Sequence, residues 1–136
     1  MSAEVRTVRP RSGWETARET GAEGEATLVQ VRHAIGSPLR DTYPVGANDR
    51  EVAVDSGTGE GLGAVLGAIF ADEPACRRIV LAVPVDDEAA GARAETAGMR
   101  GIVEVDLPEG GPVMLWVAEA PDVAAQSTDI DDLPQT

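Results

Sequence analysis

The sequence has no lysine: all 11 basic residues are arginine. Schiff-base catalysis and a lysine-bearing phosphate loop are therefore excluded. There is one cysteine, Cys76, and one histidine, His33. An intrachain disulfide and any multi-cysteine or multi-histidine metal site are excluded by count, and no metal is expected. Aromatic residues make up only 3%, so a core must come from Val, Leu, Ile and Ala. No apolar run approaches the roughly 20 residues that a membrane-spanning helix needs. Charges stand where a secretory leader would be apolar, so a cytoplasmic location is expected.

What is present is mostly acidic. Asp and Glu number 24 in 136 residues, and the net charge is −13. A negative field of that size disfavours nucleic acid and anionic membranes as partners. The hydrophobic fraction is 43%, enough for one domain with a real core.

Residues 4–9 alternate polar and apolar and read as a strand. Ser12 with Glu15 three positions on has the form of a capping box, which predicts a short helix over 13–20. Residues 26–35 (ATLVQVRHAI) read as a second strand. A long loop over 36–49 carries Pro38, Pro44, Gly46 and Asn48. A third strand is expected at 51–55. From Leu62 the period changes: Leu62, Val65, Leu66, Ile69 and Phe70 form a helical stripe. The small residues between them, Gly63, Ala64, Gly67 and Ala68, suggest close contact with a neighbour. Residues 78–83 (RIVLAV) form an almost wholly apolar run, the mark of a central strand. Asp86 or Asp87 caps a second helix through Ala97, with Gly98 as its stop. Residues 101–107 and 112–118 read as a hairpin. One domain over 1–120 is expected, followed by an acidic disordered tail over 121–136.

The stretch 54–66 (VDSGTGEGLGAVL) has the outline of a strand, a glycine-rich turn and a helix start. Unpaired amides at a helix start and the helix dipole suit an anion there. Yet Glu60 sits at the centre, and no basic residue stands near it in the sequence.

With this loop, the following apolar strand, the segment Asp86-Asp87-Glu88-Ala89 and the closing hairpin, the chain resembles the GNAT superfamily of acyl-CoA-dependent N-acyltransferases. The resemblance covers about residues 51–119. It implies an α/β fold: a mixed, mostly antiparallel sheet with helices on both faces and a shortened N-terminal half. It also implies acetyl-CoA as the acyl donor and an amine as the acceptor. By resemblance, Val54 would be among the residues that bind the cofactor, and a backbone amide within 52–54 would polarise the thioester. Thr58, Gly59, Gly61, Leu62 and Gly63 would hold the pyrophosphate, and Asp87 would lie near the arm of CoA. Glu51, on the strand entering the loop, would relay the amine proton through water.

The departures are specific. Thr58 and Glu60 stand where the family has Gln or Arg and a basic neighbour. Ala94 stands where a tyrosine often protonates the departing thiolate, and Tyr43 in the long loop could replace it. His33 is the other candidate base, since its ordinary pKa lies near neutrality. Arg77 and Arg78 could meet the 3′-phosphate. Cys76, Trp14 and Trp116 read as packing residues. Two functions stay open: an N-acyltransferase, weakened or intact, and a non-catalytic binding or dimerisation module of the same fold.

Overall fold

The computed structural model describes residues 4–21, 26–41, 44–107 and 110–120. The tail over 121–136 and Tyr43 lie outside the described residues. Seven strands form one sheet: β1 (Val5–Val8), β2 (Thr16–Thr20), β3 (Thr27–His33), β4 (Arg50–Ser56), β5 (Arg78–Pro84), β6 (Arg100–Leu107) and β7 (Gly111–Glu119). Their order across the sheet is β1-β2-β3-β4-β5-β7-β6. Every neighbouring pair is antiparallel except β4 and β5, which run parallel. That pair is joined through helix α1 (Gly59–Asp72), and β5 leads through α2 (Glu88–Thr96) into β6.

The short helix expected over 13–20 is not there. Residues Thr16–Thr20 are strand β2, paired with β1 on one side and β3 on the other. Five residues cannot hold a helix against two waiting strand edges, because an isolated short helix is marginal in water. Gly13, at φ +93°, makes the turn before it. The capping-box residue Glu15 instead accepts from His33.

The core lies on both faces of the sheet. On one, Val29, Val31, Val52, Ile79 and Leu81 pack against Leu62, Val65 and Ile69 of α1 and Ala94 of α2. Burying side chains such as Leu62 or Ile69 contributes about 1.5–3 kcal/mol each. On the other face, Val80, Val113, Leu115 and Val117 pack around Leu39. Both α-helices serve the first face. The second is served, among the described residues, by 3-10 turns at Ala34–Gly36 and Pro38–Asp41.

Arg50 opens β4 and is buried; its guanidinium pairs with Glu73 at the end of α1 and donates to Asn48 O at 2.6 Å. This ties the start of β4 to the end of the helix that follows it. Burial pushes the Cys76 thiol up, so it stays protonated, and its Sγ donates to Arg78 O at 3.3 Å. The packing role expected for Cys76 is the one it has.

Candidate functional site

β4 and β5 pair only at Arg50–Ile79, Glu51–Val80 and Val52–Leu81. Beyond Val52 the two strands part. A cleft of about 170 Å³ opens between them, lined by Ala53, Val54, Ala82, Val83, Ala90 and Arg93 among others. The parted edges carry backbone N–H and C=O groups that no longer serve a shared ladder. Asp87 also lines the cleft, and its Oδ1 caps α2 by accepting from Ala90 N at 3.1 Å.

The glycine loop follows the end of β4. Thr58 is the N-cap of α1: its Oγ1 accepts from Gly61 N at 3.0 Å and its carbonyl accepts from Leu62 N at 2.9 Å. Among the described residues, the amides of Gly59, itself buried, and of exposed Glu60 meet no acceptor. The Leu62 side chain is fully buried and serves the core. Glu60 is exposed.

The loop glycines are demanded by protein packing. A Cβ at Gly57 or Gly61 would run into Thr27, and one at Gly59 would run into Thr96 of α2. Gly57, at φ +123°, also needs a backbone that other residues rarely adopt. Thr27 is buried, and its Oγ1 accepts from Thr58 N at 3.1 Å. So a strand-start threonine fixes the loop from beneath, and α2 fixes it from the side. Gly63 makes only ordinary contact with Ala97.

Glu51 is placed one residue before the strands part. Its Oε1 accepts from Arg32 Nε at 2.9 Å, and its side chain is 10% exposed. The register pairs Arg32 with Glu51 and His33 with Arg50. Because side chains alternate along a strand, Glu51 and His33 point to opposite faces. The two candidate bases are therefore not brought together. His33 Nδ1 donates to Glu15 Oε1 at 2.7 Å. Partial burial pushes the Glu15 carboxyl up, but the hydrogen bonds from His33, with the charges of His33 and Arg50, outweigh it and hold it below its ordinary value.

On the face that Glu51 shares, residues 9–15 cross the strands. Arg11 pairs with Asp55 at 3.1 Å, and Gln30 Nε2 donates to Asp55 Oδ2 at 2.8 Å. Arg32 stacks on Trp14, 4.0 Å from the ring centre. Ala94 is fully buried and offers no donor.

Arg77 and Arg78 stand at the start of β5, at the end of the sheet where α1 finishes. A helix of 14 residues separates them from the glycine loop, about 21 Å at 1.5 Å per residue. They line a hollow with Gly46 and Asp49. They therefore lie away from the loop that would hold the pyrophosphate. A cation that does reach the loop is Arg93, which the sequence alone did not single out. Its Nη1 donates to Gly57 O at 3.4 Å. The signal was its place on α2 at the spacing Asp87, Ala90, Arg93, the stripe that lines the cleft. A second groove, of about 450 Å³, runs beside α2 against β6 and β7, where Glu88, Glu95, Glu104 and Trp116 meet. Its carboxylates disfavour anions.

No protein-family model matches the chain, and no curated protein matches it by sequence. Solved structures do match. The aminoglycoside acetyltransferase AAC(6')-Ib in complex with coenzyme A and kanamycin is 17% identical, with a TM-score of 0.67 over 81% of this chain and 69% of that one. An aminoglycoside N(6')-acetyltransferase from Legionella pneumophila is 14% identical, with a TM-score of 0.58 over 83% and 67%. RimL, a ribosomal L7/L12 α-N-protein acetyltransferase in complex with coenzyme A, is 13% identical, with a TM-score of 0.56 over 79% and 63%. These likenesses, at 13–17% identity, are likenesses of fold: the chain has the GNAT fold.

Proposed function

We propose that the chain is a GNAT-type N-acyltransferase that moves an acetyl group from acetyl-CoA to an amine. One observation carries this: β4 and β5 part after Val52, and the cleft between them is lined by Arg93, whose Nη1 reaches Gly57 O just before α1. An extended amide-bearing arm fits parted strand edges, and a pyrophosphate fits the open amides of Gly59 and Glu60. Neighbours of the same fold are described in complex with acetyl-CoA or coenzyme A.

In this reading the amine nitrogen attacks the thioester carbon. The C–N bond forms, the C–S bond breaks, and CoA leaves as its thiolate. A backbone amide within 52–54 polarises the carbonyl. The amine's proton passes through water to Glu51, which sits where the cleft closes. His33 faces the helix side beyond that closed end, so Glu51 is the base we assign. A free thiol has a pKa of about 8.5, so the thiolate can depart without an acid at position 94.

Calorimetric titration of acetyl-CoA at low salt tests the reading. Micromolar binding is expected, and no binding at millimolar ligand overturns it. Given binding, Glu51→Gln is expected to lower kcat about 100-fold or more with acetyl-CoA affinity unchanged. A second reading, a non-catalytic module that binds protein or pairs with its own copy, is favoured by one observation. Thr27 and Thr96 fill the space over the loop glycines. It predicts no acetyl-CoA binding and a dimer by light scattering. Its interface would be the hairpin edge at Ile102 and Val103.

A further inference from the structure

We infer that Arg93 supplies, from α2, the positive charge that the glycine loop itself lacks, and that it pairs with the phosphate arm of the acyl donor. The inference rests on the acyl-CoA reading above and adds a residue to it.

Six of the other ten arginines, Arg6, Arg11, Arg18, Arg32, Arg50 and Arg100, pair with a carboxylate. In a chain of net charge −13, carboxylates are plentiful. Arg93 instead makes one long hydrogen bond to a backbone carbonyl, Gly57 O. Its Nε–H is buried and meets no acceptor among the described residues. Arg93 is only partly buried, but a buried guanidinium N–H left without an acceptor is costly, and a ligand that brings an acceptor relieves that cost.

The placement selects the ligand. Gly57 O, the acceptor of Arg93, precedes the cap Thr58 by one residue. The Arg93 backbone is equally close: a Cβ on Gly59 would lie 3.0 Å from Arg93 O. The guanidinium therefore sits against the same turn that presents the open amides of Gly59 and Glu60. Two donor sets, a helix start and a guanidinium, converge there from different elements. A phosphate suits both, because a guanidinium donates to it in a fork and the helix dipole favours its charge. Arg93 also lines the cleft where the pantetheine arm would run. That arm is neutral and needs no cation, so the charge is assigned to the phosphates. Glu60, exposed at the same turn, opposes an anion there, and Arg93 offsets it.

The test compares acetyl-CoA affinity of the wild-type chain, Arg93→Met and Arg93→Gln by calorimetry at low and at high salt. Thermal melts check that each variant is folded. A charge–charge contact weakens as salt screens it, whereas a hydrogen bond to a neutral group or a packing role does not. The expected result is a loss of about tenfold or more in both variants at low salt, shrinking clearly at high salt. Arg93→Gln serves if the Met variant unfolds. A loss that does not change with salt overturns the inference, as does equal affinity in wild type and variants. In either case the acyl-CoA reading stands. No binding by the wild-type chain overturns both.

Discussion

An alanine at position 61 would drive its methyl into the side chain of Thr27, which is buried at 1% exposure. Thr27 cannot easily yield, because its Oγ1 holds the amide of Thr58 and its backbone belongs to β3. Gly61→Ala is therefore expected to cost about 1–3 kcal/mol, as over-packing in a dense interior does. A lower urea midpoint at unchanged slope would read it. Gly67 is the opposite case. A Cβ there meets nothing within 4 Å, and the residue is exposed. Gly67→Ala is expected to raise stability by about 1 kcal/mol, because glycine in a helix interior lacks only a reason to stay. Equal stability of the two variants would show that contacts at the loop do not govern its glycines. The close contact expected at Gly63 and Gly67 is not found: a Cβ at Gly63 would make ordinary contact with Ala97 and one at Gly67 would meet nothing within 4 Å, and the tight approaches are at Gly59 and Gly61.

At the scale of the element, legibility follows the range of the interaction. The period of Leu62, Val65, Leu66 and Ile69 marked α1 because a helix writes its buried face into its own residues. The cap Asp87 was legible for the same reason, bonding an amide three residues on, whereas Thr58 was read only as a loop residue and not as the cap of α1. The hairpin of β6 and β7 carried its alternation and its turn residues in one stretch. Strand β2 was not legible, since Thr16–Thr20 is a strand only through the partners it meets. Arg93 escaped notice because its acceptor, Gly57, lies 36 positions away. Thr27 escaped for a like reason, at 31 positions from Thr58. Glu51 was legible as a carboxylate on the strand entering the loop, but its partner Arg32 was not. The cap also yields a prediction that separates folding from binding. Thr58→Ala is expected to cost about 1 kcal/mol of stability. It also frees the Gly61 amide as a third open donor. Acetyl-CoA affinity should then hold or rise while the urea midpoint falls. Loss of both together would mean that the cap oxygen itself meets the ligand.

At the scale of the whole molecule, the helices serve one face of the sheet, and a polar layer of residues 9–15 crosses the other. That layer is held by carboxylates paired to arginine, so acid should loosen it. Partial burial pushes the Asp55 carboxyl up, yet hydrogen bonds from Arg11 and Gln30, with the Arg11 charge, outweigh burial and hold it below its ordinary 3.8. A carboxyl lowered in the folded state binds its proton more readily once unfolded. Its contribution to stability is therefore complete above pH 3.8 and is lost as pH falls through the lowered folded value. Glu15, held low by His33, behaves alike below its ordinary 4.5. Asp55→Asn removes the charge that Arg11 pairs with while keeping an acceptor for Gln30. The variant should be less stable than wild type at pH 7. The gap should close as pH drops below 3.8, because wild type then loses what the variant never had. Urea midpoints of both chains, taken stepwise from pH 7 downward, measure that gap. A gap that stays constant into acid would mean that Asp55 acts through its shape and hydrogen bonds and not through its charge. The segment 9–15 would then be fastened to the sheet by Trp14 stacked on Arg32 and by the bond from Arg11 N to Gln30 Oε1 at 3.0 Å.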